Sequence, residues 1–264
     1  MTSPVVPAPA PAPNALFEYL LRLGDDRLVL GHRLSEWCGH GPVLEEDIAL
    51  SNVALDLLGQ ATMLLRLAGE VEGQGRTEDA LAYFREPVEV RNCQLVELPK
   101  GDFAYTIARQ FLFDVHAVVL LDALSRSSHA ELAAIAAKSL KEAKYHVRHS
   151  GEWMLKLGDG TDESHRRVQT ALDDLWRFTG ELFAGDAIDT AMHGAGIAPD
   201  LATLKSSWSA LVRDVVERAT LTVPNDTPRL ASTRGGRTGA HTEFLGLMLA
   251  EMQIIARSHP GASW

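Results

Sequence analysis

The chain has 264 residues, 46% hydrophobic and 6% aromatic, with 25 Lys+Arg against 35 Asp+Glu and a formal net charge of −10. That length supports one large domain or two small ones, and an acidic chain without a basic, aromatic-rich patch argues against a nucleic-acid partner. Purely apolar runs such as Ala117 to Leu121 fall far below the ~20 residues of a membrane span, and no basic-then-apolar leader opens the chain.

Five of the 12 prolines stand at positions 4, 7, 9, 11 and 13. Residues 1–13 therefore read as a disordered Pro/Ala-rich tail with little side-chain bulk to bury, and residues 14–264 as a single helical domain. A first helix is expected from Ala15 to Cys38, interrupted near Gly24-Asp25 and stopped by Gly39-His40-Gly41-Pro42. A second runs from Leu44 to Val71, with Glu45, Glu46 and Asp47 where the helix dipole favours negative charge. Its two apolar stripes, one through Leu50, Val53 and Leu57 and another through Ile48, Leu55 and Leu58, imply burial against more than one neighbour.

Residues 73–101 are turn-rich, with a short helix around Asp79 to Phe84. No proline follows Pro99 until Pro199, which suits long helices. The spacing predicts a third helix over Phe103–Leu124, central because of its apolar second half. A fourth reaches Leu157 and opens on the capping-box pair Ser128 and Glu131. Three more segments follow, over 164–183, 201–221 and 242–256. With no period-2 strand pattern, the fold class is all-α: a four-helix bundle with additional C-terminal helices packed on it. Trp37, Trp153, Trp176 and Trp208 lie on these helices and are expected in the core for the most part.

Two cysteines, Cys38 and Cys93, cannot build a Cys-rich zinc site, and both are expected as buried small hydrophobes in a cytoplasmic protein. Carboxylate-bridged di-iron bundles use Glu-x-x-His pairs, because residues three apart share a helix face and give one metal an oxygen and a nitrogen ligand. No Glu in this chain has His three positions later. His146 follows Glu142 by four, with His149 one turn on, and His32, Glu36 and His40 are also spaced by four. Two readings of these residues stand side by side. One is a polar seam of buried acids bonded across helices. The other is an autonomous di-iron or di-manganese oxidase using Glu36, Asp56, Asp114, Glu142 and His146. The loop Arg234-Gly235-Gly236-Arg237-Thr238-Gly239 is either an ordinary turn or a backbone nest for an anion flanked by two guanidiniums.

The blocks Arg22-Leu23-Gly24-Asp25, Glu36-Trp37-Cys38-Gly39-His40, Glu46-Asp47-Ile48-Ala49-Leu50 and Leu55-Asp56-Leu57-Leu58-Gly59-Gln60-Ala61 resemble the structural C subunits of bacterial phenylacetyl-CoA epoxidases. Lys141-Glu142-Ala143-Lys144-Tyr145-His146, Leu175-Trp176-Arg177-Phe178-Thr179 and Leu249-Ala250-Glu251-Met252-Gln253 extend the resemblance from about residue 19 to the C-terminus. It implies a ferritin-like, non-catalytic subunit of a multicomponent oxygenase in aerobic phenylacetate degradation, with no metal or cofactor of its own. A homologous catalytic A subunit would hold the di-iron centre. A small B subunit would join the assembly, and a reductase with FAD and an iron–sulfur cluster would deliver electrons from NADPH. The expected anionic substrate makes Arg234 and Arg237 candidates for contacting the phosphates of coenzyme A. Neither a nucleic acid nor a membrane is an expected partner.

Overall fold

The computed structural model describes residues 13–225 and 235–262, so the Pro/Ala-rich tail expected over 1–13 lies outside the described residues except for Pro13, where the first helix begins. The described residues form ten α-helices in order: α1 (Pro13–Ser35), α2 (Leu44–Glu72), α3 (Glu78–Tyr83), α4 (Gln94–Glu97), α5 (Phe103–Leu124), α6 (Ala130–Gly158), α7 (Asp162–Thr179), α8 (Ala187–Gly194), α9 (Leu201–Arg218) and α10 (Glu243–Ser258). No strand occurs among the described residues. The hairpins α1–α2 and α5–α6 pack together through α2 and α6 to make the ferritin-like four-helix core. Around it, α7 and α9 lie on α5, α8 lies on α1, and α10 lies on α3.

The first helix is not interrupted at Gly24-Asp25. A Cβ at Gly24 would stand 2.8 Å from Leu65 Cδ2 and one at Gly31 would stand 3.1 Å from Leu58 Cγ. These two glycines, seven residues apart on one face, let α1 lie close against antiparallel α2, and packing there outweighs glycine's poor helix propensity. The helix stops at Ser35 rather than Cys38, and a turn over 36–40 carries the chain on.

Caps set most other boundaries. Asp102 accepts a hydrogen bond from Tyr105 N at 2.8 Å to open α5, and Gly73 closes α2 with φ 69° while its N–H donates to Gly69 O at 3.1 Å. Helix α6, the fourth long helix of the sequence reading, caps on His129, whose ring accepts from Leu132 N at 3.3 Å. Ser128 is drawn away instead, donating its hydroxyl to Ala195 O at 3.0 Å. Past Thr179 the expected helix tightens into a 3₁₀ turn over Gly180–Phe183.

From Ala104 to Ala117, α5 is buried at all but one position, as its apolar sequence predicts for a central helix. Trp37 and Trp208 are buried with their indole N–H groups satisfied, donating to Thr106 Oγ1 and to Leu112 O at 3.0 Å each. Trp153 and Trp176 are half-buried, set against Phe103 and Trp208. Cys93 is buried as expected; Cys38 is not, because the turn that ends α1 turns its side chain outward.

Candidate functional site

The polar residues of the core fall into two seams. The first joins α2 to α6. Residues 142, 146 and 149 recur at helical spacing on the face of α6 that meets α2, so each finds a partner there. Gln60 donates through Nε2 to Glu142 Oε2 at 2.8 Å, His146 Nε2 lies 3.0 Å from Asp56 Oδ2, and His149 Nε2 lies 2.8 Å from Glu46 Oε2. The same Gln60 accepts at Oε1 from Arg27 Nε at 2.9 Å, and Arg27 also donates to Leu23 O at 2.8 Å. Arg27 is fully buried on α1, and burial lowers its pKa to about 10.

Asp114 lies deeper, on α5. Its carboxylate accepts from Gln110 Nε2 at 2.6 Å and from Ser150 Oγ at 2.7 Å. Burial pushes its pKa up to about 6, against the opposing pull of His146 and those two hydrogen bonds. Two positions along the same helix, His116 is driven the other way, down to about 4, again by burial.

These residues do not converge on a metal. Among the described residues no group of three His, Cys, Asp or Glu side chains is placed to hold one ion. Of the five candidate ligands, Asp56 and His146 pair with each other, Glu142 is held by Gln60, and Asp114 is held by Gln110 and Ser150. Glu36 stands apart, past the end of α1, bonded to Arg33 Nη1 at 2.6 Å. A guanidinium beside Gln60 also supplies positive charge to a region where a metal ion would need anionic ligands to itself. The donor set does not fit a dinuclear centre, and a polar seam describes what is found.

The second seam ties the long loop and the last helix to α1. Asp25 takes two bonds from Arg85, the Nη1 one at 2.9 Å, and a third from Arg91 N at 2.7 Å. Its neighbour Asp26 accepts from Arg237 Nη1 and Nη2 at 2.8 Å each and from Cys93 N at 2.7 Å. Glu97 receives Asn92 Nδ2 at 2.8 Å and Thr242 N at 2.5 Å, and lies 2.7 Å from His241 Nδ1. Glu181 accepts from Gln94 N at 2.7 Å and Gly235 N at 3.1 Å. All four carboxylates are buried, each taking backbone N–H groups that no helix or strand ladder satisfies.

None of the four was singled out by spacing, since each is an isolated acid whose partners come from distant loops. The available signal was an adjacent acidic pair following the apolar positions Leu20, Leu21 and Leu23 of the first helix, Asp25-Asp26.

Arg237 belongs to this seam, which departs from its expected role as a phosphate contact. Besides Asp26, its Nη1 donates to Arg91 O at 2.9 Å and Arg22 O at 3.2 Å, so the terminal nitrogens point inward. Burial alone would lower its pKa. The charge and hydrogen bonds of Asp26, with the nearby Cys93 and Glu181, together outweigh that and the net shift is upward, as suits a permanently charged structural pin. Arg234, the other candidate, lies outside the described residues.

The family model for "Phenylacetic acid catabolic protein" matches residues 1–264. The sequence is 51% identical over 251 residues to the C subunit of the 1,2-phenylacetyl-CoA epoxidase of Escherichia coli (strain K12), spanning 95% of this chain and 100% of that protein. An all-α bundle whose buried acids are committed to internal partners thus belongs to the phenylacetic acid catabolic protein family.

Proposed function

We propose that this chain is a non-catalytic structural subunit of a phenylacetyl-CoA epoxidase, acting in aerobic phenylacetate degradation in the cytoplasm. It pairs with a di-iron catalytic A subunit, and a small B subunit shares the assembly. A reductase carrying FAD and an iron–sulfur cluster supplies electrons from NADPH. The observation that carries this reading is the commitment of the core carboxylates. Asp56, Asp114 and Glu142 are each engaged by a protein donor, and a buried guanidinium sits at Arg27. The Escherichia coli relative, named as a C subunit of that epoxidase, supports it independently. In this role the chain's chemistry is packing. It presents a rigid helical surface that holds a neighbouring subunit, and it contributes no group to ring epoxidation.

Co-expression with the cognate A subunit tests the reading. The expected outcome is a stable hetero-oligomer by native mass measurement, with iron in the A subunit, and epoxidation that requires this chain. About two metal ions per isolated chain, lost in Glu142→Ala, would reverse it, as would epoxidation by the A subunit unaffected by this chain.

A further inference from the structure

The second helix keeps more apolar surface than its own bundle covers. Among the described helices it alone is long and apolar enough to cross a membrane, yet only 44% of its most apolar stretch is buried. Its uncovered residues form a single stripe. Leu44, Ile48 and Leu55 are 72%, 52% and 65% exposed, and Asn52, Gly59 and Thr62 continue the line at helical spacing. From Leu44 to Leu55 the stripe runs about 17 Å, three turns of helix.

The edge of this stripe is defined by contacts already described. Asp56, Gln60 and Met63 face α6, so the neighbouring surface belongs to the outer side of α6. Lys138 reaches across to Met63 Sδ at 3.7 Å, while Tyr145 stands 47% exposed one position before the His146 that binds Asp56. Lys141 and Arg148 flank Tyr145 on the same side, Arg148 lying 5.8 Å from the ring centroid. Arg148 also lies 3.7 Å from Glu152 Oε1, and Glu45 and Asp56 stand on α2 beside the stripe, so the cationic part of the border is carried mainly by Lys138 and Lys141, on a chain whose net charge is −10.

We infer that the outer face of α2, with the Lys138–Lys141–Arg148 edge of α6, is a docking surface for an amphipathic helix of another subunit, one whose apolar stripe is bordered by carboxylates. This rests on the subunit reading above and names the face through which it operates. Charge complementarity selects the partner. A second copy of this chain would present the same cations to these, whereas a helix with an acidic border meets them with opposite charge and inserts its apolar stripe beside Leu44, Ile48 and Leu55. The three aliphatic positions form the desolvated centre of such a contact and the cations its rim, so they should affect binding differently.

The test uses the full chain co-purified with its cognate A subunit. Ile48→Glu/Leu55→Glu should weaken association by about 30-fold or more, mainly through faster dissociation. Lys138→Glu/Lys141→Glu should slow association and abolish its salt dependence. All four side chains are exposed, so thermal unfolding of the isolated variants should match the parent within about a degree or two. Leu247→Glu/Ile254→Glu, on the exposed face of α10, should bind as the parent does. If the parent itself fails to bind, the subunit reading fails. If the parent binds and the α2 variants bind equally well, only the docking inference is overturned. A concentration-dependent homodimer of the isolated chain that the α2 variants dissolve would overturn it in favour of a second copy. Sedimentation with vesicles of anionic phospholipid, lost in the same variants, would overturn it in favour of a lipid surface.

Discussion

Arg237 and Asp26 form a two-point ion pair, both Nη–Oδ distances 2.8 Å, that fastens the loop before α10 to the middle of α1. The residues are 211 apart in sequence. Asp26 is 1% exposed and also takes the Cys93 N–H, so one carboxylate holds the first helix, the 87–99 loop and the 235–242 segment together. Together with Asp25–Arg85 and Glu97–His241, it makes the base of the molecule a polar joint inside an apolar bundle.

Removing the cation should therefore cost stability rather than substrate affinity. Arg237→Ala leaves a buried, uncompensated carboxylate, a class of change that costs about 3–5 kcal/mol. Urea unfolding of the isolated chain checks the magnitude. In the assembled epoxidase, the folded fraction of the variant should keep the parent's KM for phenylacetyl-CoA. A raised KM at undiminished stability would return Arg237 to a phosphate-binding role.

The helical framework was readable because its determinants are local. The acidic first turn Glu45-Glu46-Asp47 marks the start of α2, the turn-rich stretch from Gly73 marks its end, and the apolar run from Phe111 places α5 at the centre. Helix α7, by contrast, begins at Asp162, two residues before the expected 164, because Thr161 caps it. Two short helices, α4 and α8, were not foreseen. The first is four residues long and buried by its surroundings; the second starts from the capping box Asp186/Asp189, which also receives Arg22. The break expected at Gly24 is absent for a tertiary reason, the close approach of Leu65. At the candidate site, helical spacing correctly put Glu142, His146 and His149 on one face, but spacing carries no information about which helix answers them. Gln60 and Arg27, the residues that turn the region into a seam, have no motif of their own. The second seam was invisible for the same reason: apart from Asn92–Glu97, its partners are separated by 54 to 211 residues.

Asp114 and His116 predict opposing pH dependences in the same window. Burial raises Asp114 to about 6, above its ordinary value, so the folded state binds the proton more tightly than the unfolded chain. Its contribution to stability is full below about pH 4 and is lost as pH rises to about 6. His116 is lowered to about 4, so its contribution is full above the ordinary histidine value and is lost as pH falls toward 4. The two slopes offset each other in the parent. Asp114→Asn should gain stability relative to the parent as pH rises from about 4 to 6, by about 2 kcal/mol, and hold that gain above it. His116→Phe, whose ring can keep the contacts to Phe113 and Phe183, should gain relative to the parent as pH falls. Urea unfolding at about pH 4.5, 5.5, 6.5 and 7.5 reads both differences, and parallel curves for parent and variants would refute the assignment.

Two glycines should respond to alanine with opposite signs. A Cβ at Gly236 would collide with the Asn92 carbonyl oxygen, so the 235–239 turn could no longer seat against the 92–94 segment. Gly236→Ala should cost about 1–3 kcal/mol. Gly59 lies inside α2 with open space where its Cβ would go. Gly59→Ala should stabilise by about 0.5–1 kcal/mol through helix propensity and a less flexible unfolded chain. Thermal unfolding of the isolated chain decides both.

The two cysteines should separate cleanly in a thiol titration. Cys93 is fully buried on the Asp26 side of the second seam, and burial raises its thiol well above the ordinary value, which suppresses the reactive thiolate. Cys38 lies exposed in the turn after α1. A maleimide should therefore label one thiol per native molecule at neutral pH and two after denaturation. Because Cys93 N donates to Asp26, loosening that joint should open the second thiol: Arg237→Ala is expected to accelerate Cys93 labelling while leaving the Cys38 rate unchanged. Equal acceleration at both sites would mean general unfolding. No acceleration at either would mean that the Arg237–Asp26 pair does not hold this part of the structure closed.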